Sequence, residues 1–245
     1  MKLMVNGYEA HVATGGKKFE KNLPTVLFLH GSGLDHRSWA LQTRWFAYNG
    51  FGVLAPDFPG HSLSKGAPCV TIEDSGKWLA DFLDAMGVRE AHVVGHSQGF
   101  LSALELSKLR PTALKSLIGV GTAAAIPVNP MLIETAGRSP MKAADLMLQW
   151  GFGHQTQMGV SATPGMQPIA IGRQIMGNNP LAIDLQCCAD YCGGVDAVGL
   201  VTAPSAMILA GQDKMTPIKA GLAIADHLQA KLVVLKDYGH MLPIE

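Results

Sequence analysis

The chain has 245 residues, of which 48% are hydrophobic and 16% are charged. This balance excludes a disordered protein, and a chain of up to about 250 residues can still form a single α/β domain. Lysine plus arginine and aspartate plus glutamate each number 19, so the formal net charge is 0. That balance argues against a nucleic-acid partner, which would require a basic excess or a basic patch.

Two short apolar runs flank the Asn6-Gly7 turn and predict a β-hairpin at residues 3–5 and 10–13. Strands and helices then alternate, with strands predicted at 25–29, 53–55, 91–94 and 117–120 and helices at 39–48, 72–86 and 98–109. Thr71 as N-cap and Gly87 as terminator delimit the second of these helices. Such alternation predicts a mostly parallel, twisted sheet with helices on both faces.

The alternation stops between residues 126 and 195, where no clear strand run occurs. This segment holds six prolines and six of the 12 methionines. The pattern then resumes with a strand at 205–209, a helix at 217–228 and a strand at 232–235. The simplest organisation is an α/β core formed by residues 1–125 and 196–245, with a helical cap inserted at 126–195.

Three features of the sequence predict a cytoplasmic location. No apolar run approaches the ~20 residues that span a bilayer, and no signal-peptide pattern is present at the N-terminus. The four cysteines (Cys69, Cys187, Cys188 and Cys192) have neither zinc-site spacing nor the density of a disulfide scaffold. We therefore expect a cytoplasmic protein with reduced thiols and no membrane partner.

The pentapeptide Gly95-His96-Ser97-Gln98-Gly99 is the sharpest motif in the chain. Its G-x-S-x-G pattern follows a predicted strand and opens a predicted helix, the context typical of a nucleophile elbow. A serine on so tight a turn has a strained backbone, so its neighbours two residues away must be very small. Ser97 is therefore the predicted nucleophile.

A serine nucleophile needs a base, and the base needs an acid that orients it. Of the nine histidines, we favour His240, which lies in a loop just beyond the last predicted strand. Asp213 follows the strand at 205–209 and lies at the same edge of the sheet. Asp237 is nearer to His240 in sequence, but three residues of loop do not usually let it reach back to that ring. We predict Asp213 as the acid, with Asp237 as the alternative.

The oxyanion formed during acyl transfer needs backbone donors. The amide of Gln98, the residue after the nucleophile, is the first candidate. The second is expected in the loop His30-Gly31-Ser32-Gly33, whose glycines let the backbone approach a substrate closely. We assign this donor to the Ser32 amide, with the Gly33 amide as the alternative.

These motifs together resemble those of the α/β-hydrolase superfamily, in particular its capped, single-domain serine esterases. The matching segments are HGSG at 30–33, DFPGH at 57–61, GHSQG at 95–99, GQD at 211–213 and GH at 239–240. The resemblance implies an eight-stranded sheet and a triad of Ser97, Asp213 and His240 that needs no metal or cofactor. It also implies structural roles for His30 and His61.

Two departures from the family pattern stand out. Ser62 occupies a position that is usually glycine, in the loop that supports the oxyanion loop. Family members also usually continue into a further helix after the histidine, whereas only residues 241–245 follow His240 here. We therefore expect apolar surface of the sheet to be exposed.

The cap composition bears on the substrate. Between residues 126 and 194 there are three basic and four acidic residues and no arginine cluster, which a coenzyme A or dicarboxylate pocket would require. We therefore expect small or medium apolar acyl groups. The cap methionines are suited to lining an adaptable apolar pocket, or alternatively they fill the core of the cap. The residues expected to contact substrate are His96, Gly33, Trp150, Met215 and Met241.

Three functions are compatible with these residues. The first is cleavage of a small-molecule ester through an acyl-enzyme on Ser97. The second is hydrolysis of carbon–carbon bonds in ring-cleavage products, whose enzymes resemble this chain in the HGSG loop but tend to carry cap arginines. The third is a receptor-like α/β-hydrolase with slow turnover, because fold alone does not determine function. For each of them we expect a monomer or a homodimer.

Overall fold

The computed structural model describes residues 1–161 and 163–245. In these residues the strands β1 to β8, in chain order, span Lys2–Val5, Tyr8–Ala13, Thr25–Leu29, Gly52–Pro56, Ala91–His96, Leu114–Val120, Ser205–Ala210 and Lys231–Leu235. The α-helices α1 to α10 span Ala40–Tyr48, Ile72–Met86, Gln98–Leu109, Pro130–Arg138, Pro140–Gly151, His154–Gln157, Pro168–Met176, Leu181–Asp190, Gly194–Gly199 and Ile218–His227.

The strands form a single sheet in the order β1-β2-β4-β3-β5-β6-β7-β8. The pairs β1–β2 and β2–β4 are antiparallel, and every pair from β4 to β8 is parallel. The predicted mostly parallel sheet is therefore confirmed. Because parallel strands end at the same edge, the loops after β3, β5, β7 and β8 meet there.

Strand β3 shows why this sheet is covered on both faces. Successive strand residues point to opposite faces, so an unbroken apolar run must be buried twice. Leu27 belongs to a cluster with Phe82 of α2, whereas Phe28 packs with Trp39 next to α1. Each such buried leucine or phenylalanine contributes about 1.5–3 kcal/mol, so these layers fix the strand that carries the oxyanion loop.

Helix α2 begins and ends at the predicted residues. The Thr71 hydroxyl accepts the Asp74 N–H at 3.0 Å, which caps the first turn. Gly87 ends the helix with φ of +64°, a left-handed conformation that favours glycine. The helix packs against α3, which begins at the predicted elbow.

Six helices, α4 to α9, lie between β6 and β7, and the described residues of this segment contain no strand. Four of them (α4, α5, α7 and α8) share an apolar cluster that also includes Leu34, Met241 and Ile244 of the core. Helix α9 differs, because Ala197 and Val198 belong to the main core cluster and the helix packs against α3. Helices α4, α5, α7 and α8 of the predicted cap thus pack directly on the edge of the sheet where the predicted site residues lie.

No helix in the described part of the chain is both long and apolar enough to cross a membrane. Strand β8 is at the end of the sheet and pairs with β7. Its Leu232 and Val233 are 45% and 48% exposed, so apolar sheet surface is exposed at this edge, as expected.

Candidate active site

Ser97 lies on a sharp turn between β5 and α3. Its backbone has φ of +51°, which is strained for any residue except glycine. A Cβ atom at Gly95 would lie 2.5 Å from the backbone of Phe100, and one at Gly99 would lie 2.5 Å from the Leu29 carbonyl oxygen. Both glycines are therefore required by contact distances, as the steric argument from the motif predicts.

His240 and Asp213 meet beyond the ends of β8 and β7. The His240 Nδ1–H donates to the Asp213 carboxylate at 2.9 Å, and both side chains are buried. Whenever the ring is neutral, this bond leaves His240 Nε2 as the unprotonated nitrogen, and no described residue forms a hydrogen bond with it. Asp237 is exposed and makes no such bond, so the geometry favours Asp213 over the alternative.

Asp213 is held as a carboxylate by its neighbours. Its Oδ1 accepts the backbone N–H groups of Met215 and Thr216 at 2.8 and 2.7 Å, and its Oδ2 accepts the Thr216 hydroxyl at 2.7 Å. Burial alone would raise the pKa of Asp213, but the charge and hydrogen bond of His240 and the bonds from Thr216 hold that pKa below its usual value. Asp213, the predicted acid, is therefore ionised and fixed in orientation.

The two predicted oxyanion donors belong to residues whose side chains contact each other. Gln98 is the first residue of α3, so its N–H has no acceptor within the helix, and the Ser32 N–H has no acceptor among the described residues. The Ser32 hydroxyl donates to the Gln98 side-chain oxygen at 2.8 Å and links the two residues. A Cβ at Gly31 would lie 3.1 Å from Ser97 Cβ, so the loop passes directly beside the predicted nucleophile.

Gly33 does not take the places predicted for it. Its N–H donates to the buried Asp184 carboxylate of α8 at 2.7 Å, so it is not free to act as the alternative oxyanion donor. It does not line the cavity beside Ser97 either, because Leu181 and Met176 of the cap pack over it. Its positive φ of 68° instead explains the need for glycine at this turn.

The cavity beside Ser97 has a volume of about 250 Å³. Four of the five residues predicted to contact substrate, His96, Trp150, Met215 and Met241, line this cavity. Residues not anticipated from the sequence complete the wall: Leu34, residues 126–129, Leu132, Leu185, Cys188 and Lys214. Residues 126–129 follow β6, the neighbour of β5, so the strand order of a parallel sheet is the signal that could have found them.

The cap methionines occupy three environments: the cavity wall, the cap core and the exposed surface. Met147 lines the cavity, and Met176 is buried in the cap core. Met131 and Met158 are 72% and 74% exposed. In the described residues, Met147 is thus the one cap methionine at the cavity, and the predicted methionine-lined pocket is reduced to that contact.

His96 holds the backbone of His240, the predicted base. Its Nε2–H donates to the His240 carbonyl at 2.8 Å, whereas its buried Nδ1 has no partner among the described residues. Burial and the nearby His240 lower the pKa of His96 to about 3, so its ring is neutral. His96 therefore anchors the backbone of His240.

His30 and His61 lie beneath the oxyanion loop. His30 Nε2 accepts the Phe58 N–H at 3.2 Å, so its Nδ1 carries the proton that goes to the Gly31 carbonyl at 3.1 Å. Burial lowers the pKa of His30 to about 4, which agrees with this neutral form. His61 bonds to Asp184 at 2.9 Å, a contact between core and cap that no sequence motif indicates.

His11, His36 and Asp57 form a separate cluster whose ligand atoms lie within 4.8 Å of one another. Such residues are able to bind a metal. Here, however, the Asp57 Oδ1 already accepts both the ring Nδ1–H and the backbone N–H of His36, at 2.7 and 2.8 Å. The cluster does not line the cavity beside Ser97.

The model of the alpha/beta hydrolase family matches residues 26–245. A 2-hydroxy-6-oxononadienedioate/2-hydroxy-6-oxononatrienedioate hydrolase of Dechloromonas aromatica is 28% identical over 234 residues, which cover 88% of this chain and 80% of that protein. The 3-oxoadipate enol-lactonase 1 of Acinetobacter baylyi is 30% identical over 106 residues, which cover 43% of this chain and 40% of the relative. The match to the enol-lactonase thus spans less than half of that relative's length.

Among solved structures, the enol-lactonase from Burkholderia xenovorans LB400 has a TM-score of 0.86 at 23% identity, covering 100% of this chain and 94% of that one. A thermophilic esterase from Thermogutta terrifontis has a TM-score of 0.83 at 23% identity, covering 100% and 92%. At such identities the likeness concerns the fold. Because the family model spans nearly the whole chain, the protein belongs to the alpha/beta hydrolase family.

Proposed function

We propose that the protein is a serine hydrolase that cleaves carboxylic esters of small or medium apolar acids through an acyl-enzyme on Ser97. The observation that carries this proposal is the hydrogen-bonded pair of Asp213 and His240, which shares one cavity with Ser97. Ser32 lines the same cavity, Gln98 directly follows Ser97 in the chain, and their backbone N–H groups have no protein acceptor among the described residues. Nucleophile, base, acid and oxyanion donors are the full set that acyl transfer needs.

Acylation begins when the Ser97 hydroxyl turns toward His240 Nε2 and its oxygen attacks the ester carbonyl carbon. His240 takes the hydroxyl proton, and Asp213 stabilises the imidazolium that forms. The carbonyl oxygen becomes an oxyanion, which the Ser32 and Gln98 amides stabilise; one such donor is typically worth ~10²–10³ in kcat. His240 then gives its proton to the leaving oxygen, and the alcohol departs.

Deacylation repeats these steps with water. His240 removes a proton from water, the hydroxide attacks the acyl carbon, and the same two amides stabilise the second oxyanion. Collapse of this intermediate returns the proton to Ser97 and releases the carboxylic acid. The net reaction consumes one water and yields one acid and one alcohol.

The cavity supports a small or medium apolar acyl group. Its volume of about 250 Å³ lies just below the ~300–1,000 Å³ usual for drug-sized ligands. Leu132, Met147 and Leu185 of the cap contribute apolar wall. The names of two structural neighbours, an enol-lactonase and an esterase, describe cleavage of cyclic and open esters, and both bonds suit the same chemistry.

Hydrolysis of a p-nitrophenyl ester series with acyl chains from two to twelve carbons tests the proposal. We expect saturable turnover by the wild type with an optimum at short or medium chains, and loss of turnover in Ser97→Ala. Ser107→Ala is the matched control, because Ser107 is a buried serine of helix α3, which follows Ser97, and does not line the cavity. Turnover that persists in Ser97→Ala would contradict the proposal.

The relative from Dechloromonas aromatica favours a second candidate, hydrolysis of a carbon–carbon bond, because the match covers 88% of this chain. Apart from the histidines, Lys214 is the one basic side chain among the described residues that line the cavity. A substrate with two carboxylates would favour more cations than this. Cleavage of ring-fission products by wild type that is inactive toward all esters would select this candidate.

A further inference from the structure

The cap holds the oxyanion loop, defined here as residues 31–34, by two buried side chains. Asp184 of α8 accepts the Gly33 N–H at 2.7 Å. Asn179, just before α8, places its side-chain Nδ2 at 3.0 Å from the carbonyl oxygens of both Gly33 and Leu34. Both cap side chains are buried, at 2% and 6% exposure, so these bonds do not compete with bulk water.

These bonds reach the Ser32 amide through two peptide planes. A trans peptide points its C=O and N–H in opposite directions, and the structure contains no cis peptide among the described residues. Asn179 fixes the Gly33 carbonyl, so the Leu34 N–H of the same peptide points the other way and donates to the Gly31 carbonyl at 3.0 Å. Fixing the Gly31 carbonyl in turn directs the Ser32 N–H of that peptide to the opposite side.

Asp184 holds the middle peptide, which lies between the Gly31–Ser32 peptide and the Gly33–Leu34 peptide. The Gly33 N–H belongs to the peptide that joins Ser32 to Gly33, and its bond to Asp184 fixes that plane. Leu181 of the same helix packs on Gly33, where a Cβ would lie 2.8 Å from Leu181 Cδ1. Each peptide of the oxyanion loop is therefore held either directly or through one neighbour by the cap.

The same cap residues are tied to a second loop of the core. His61 Nε2–H donates to Asp184 at 2.9 Å and its Nδ1–H donates to the Pro59 carbonyl at 3.0 Å. Because both ring nitrogens face acceptors, His61 is an imidazolium paired with a carboxylate. Asn179 Oδ1 accepts the Ser62 N–H at 2.8 Å. The cap side chains thus have fixed positions of their own.

We propose that Asn179 and Asp184 are positioning residues that direct the Ser32 N–H at the oxyanion, so that the cap completes the oxyanion hole. This inference rests on the proposed hydrolase function. Neither residue lines the cavity, so neither is expected to contact substrate. Their loss should weaken binding of the transition state and leave binding of the ground state nearly unchanged.

The variants Asp184→Asn and Asn179→Ala test this role against Asp190→Asn, a change of an exposed acid on the same helix α8. We expect each of the first two to lower kcat on the order of 10–100-fold, less than the ~10²–10³ for loss of a whole donor, with KM within about threefold. The inhibition constant of a trifluoromethyl ketone, which forms an oxyanion on Ser97, should rise by the same factor. Asp190→Asn should change neither quantity.

Amide hydrogen exchange supplies a readout that does not depend on activity. Exchange at Gly33 and Leu34 should become at least about tenfold faster in Asp184→Asn and Asn179→Ala than in Asp190→Asn. If the melting temperature shows that one of these two variants does not fold, the other variant still tests the proposal. Unchanged exchange, or a rise in KM with kcat unchanged, would overturn the proposal.

Failure of the proposed function gives a different pattern. A folded wild type without Ser97-dependent ester turnover would reject ester hydrolysis. The exchange measurement would then decide the positioning role alone, since it reports the hydrogen bonds of the loop and not the reaction.

Discussion

The described part of the chain contains two buried histidine–aspartate pairs with the same separation and different surroundings. His240 and Asp213 lie 2.9 Å apart at the cavity, and His61 and Asp184 lie 2.9 Å apart between core and cap. All four side chains are no more than 4% exposed. Distance and burial alone therefore do not separate a reactive pair from a structural one.

The second ring nitrogen makes the difference. His240 Nε2 has no hydrogen-bond partner in the described residues, whereas His61 Nδ1 donates to the Pro59 carbonyl. A histidine with one free nitrogen is able to exchange a proton with a substrate or a nucleophile, and one with two acceptors holds its proton. The first pair suits proton transfer, and the second suits fixed charge that joins two parts of the fold.

The largest expected effect is at the cavity pair. Asp213→Asn should lower kcat for a p-nitrophenyl ester by about 10⁴-fold, because the amide favours the wrong tautomer of His240. His240→Ala should abolish acylation, since it removes the base. Steady-state and burst kinetics measure both effects. Asp237→Asn is the control and should keep activity near wild type; the reverse pattern would move the acid to Asp237.

Removing His61 from its pair with Asp184 should lower the free energy of unfolding. His61→Leu leaves the Asp184 carboxylate buried without its cation, and we expect a loss of about 3–5 kcal/mol in the free energy of unfolding. Urea denaturation measures this loss. The double variant His61→Leu/Asp184→Leu should regain much of it, because apolar residues can replace a buried ion pair at little cost. A single variant as stable as wild type would contradict the ion pair.

The pH dependence of stability is a further test of the His61–Asp184 pair. Burial lowers the pKa of His61, but the charge and hydrogen bond of Asp184 and the Pro59 carbonyl outweigh it and raise that pKa above 6.5. Because the folded pKa is raised, this stabilisation is complete below the unfolded value near 6.5 and is lost as pH rises through the folded pKa.

Urea denaturation between pH 6 and 9 measures this effect. One proton corresponds to a slope of at most about 1.4 kcal/mol per pH unit. His61→Gln, which cannot ionise, is the control, and the difference in stability between wild type and this variant should shrink toward alkaline pH. A difference that stays constant would show that folding does not raise the pKa of His61.

The smallest effect concerns Thr216, whose hydroxyl donates to Asp213 at 2.7 Å. Thr216→Val keeps the shape and the backbone N–H bond but removes this donor. A single hydrogen bond is worth about 0.5–1.5 kcal/mol, so kcat should fall roughly 2–10-fold. Equal activity of Thr216→Val and wild type would show that the backbone bonds alone orient the acid.

The core half of the site could be predicted from the sequence because local rules govern it. Gly95 and Gly99 are required by the turn at Ser97, and His240 and Asp213 each follow a strand that ends at the same edge. Chain order and strand ends were sufficient to bring these residues together. The fold followed from the same alternation of strands and helices.

The cap half could not be predicted in this way. Asp184 is 123 residues from His61 in the chain, and no motif joins them. Which face of α8 meets the oxyanion loop depends on the packing of Leu181 and Leu185 in the cap core, and a helical pattern does not specify that rotation. The prediction that Gly33 lines the cavity is wrong for the same reason, because no local sequence feature indicates that the cap covers Gly33.

The bonds from Asn179 and Asp184 to the oxyanion loop also set a condition for protein engineering. Exchange of caps between relatives is a natural way to change the acyl group that a hydrolase accepts, because cap residues such as Leu132 and Met147 form much of the pocket wall. In this protein, a cap taken from a relative would change the pocket wall. It would also remove the Asp184 and Asn179 side chains that bond to the backbone of residues 33–34. A successful chimera would therefore have to keep the segment from Asn179 to Asp184 together with its partner His61, and vary the pocket through α4 and α5.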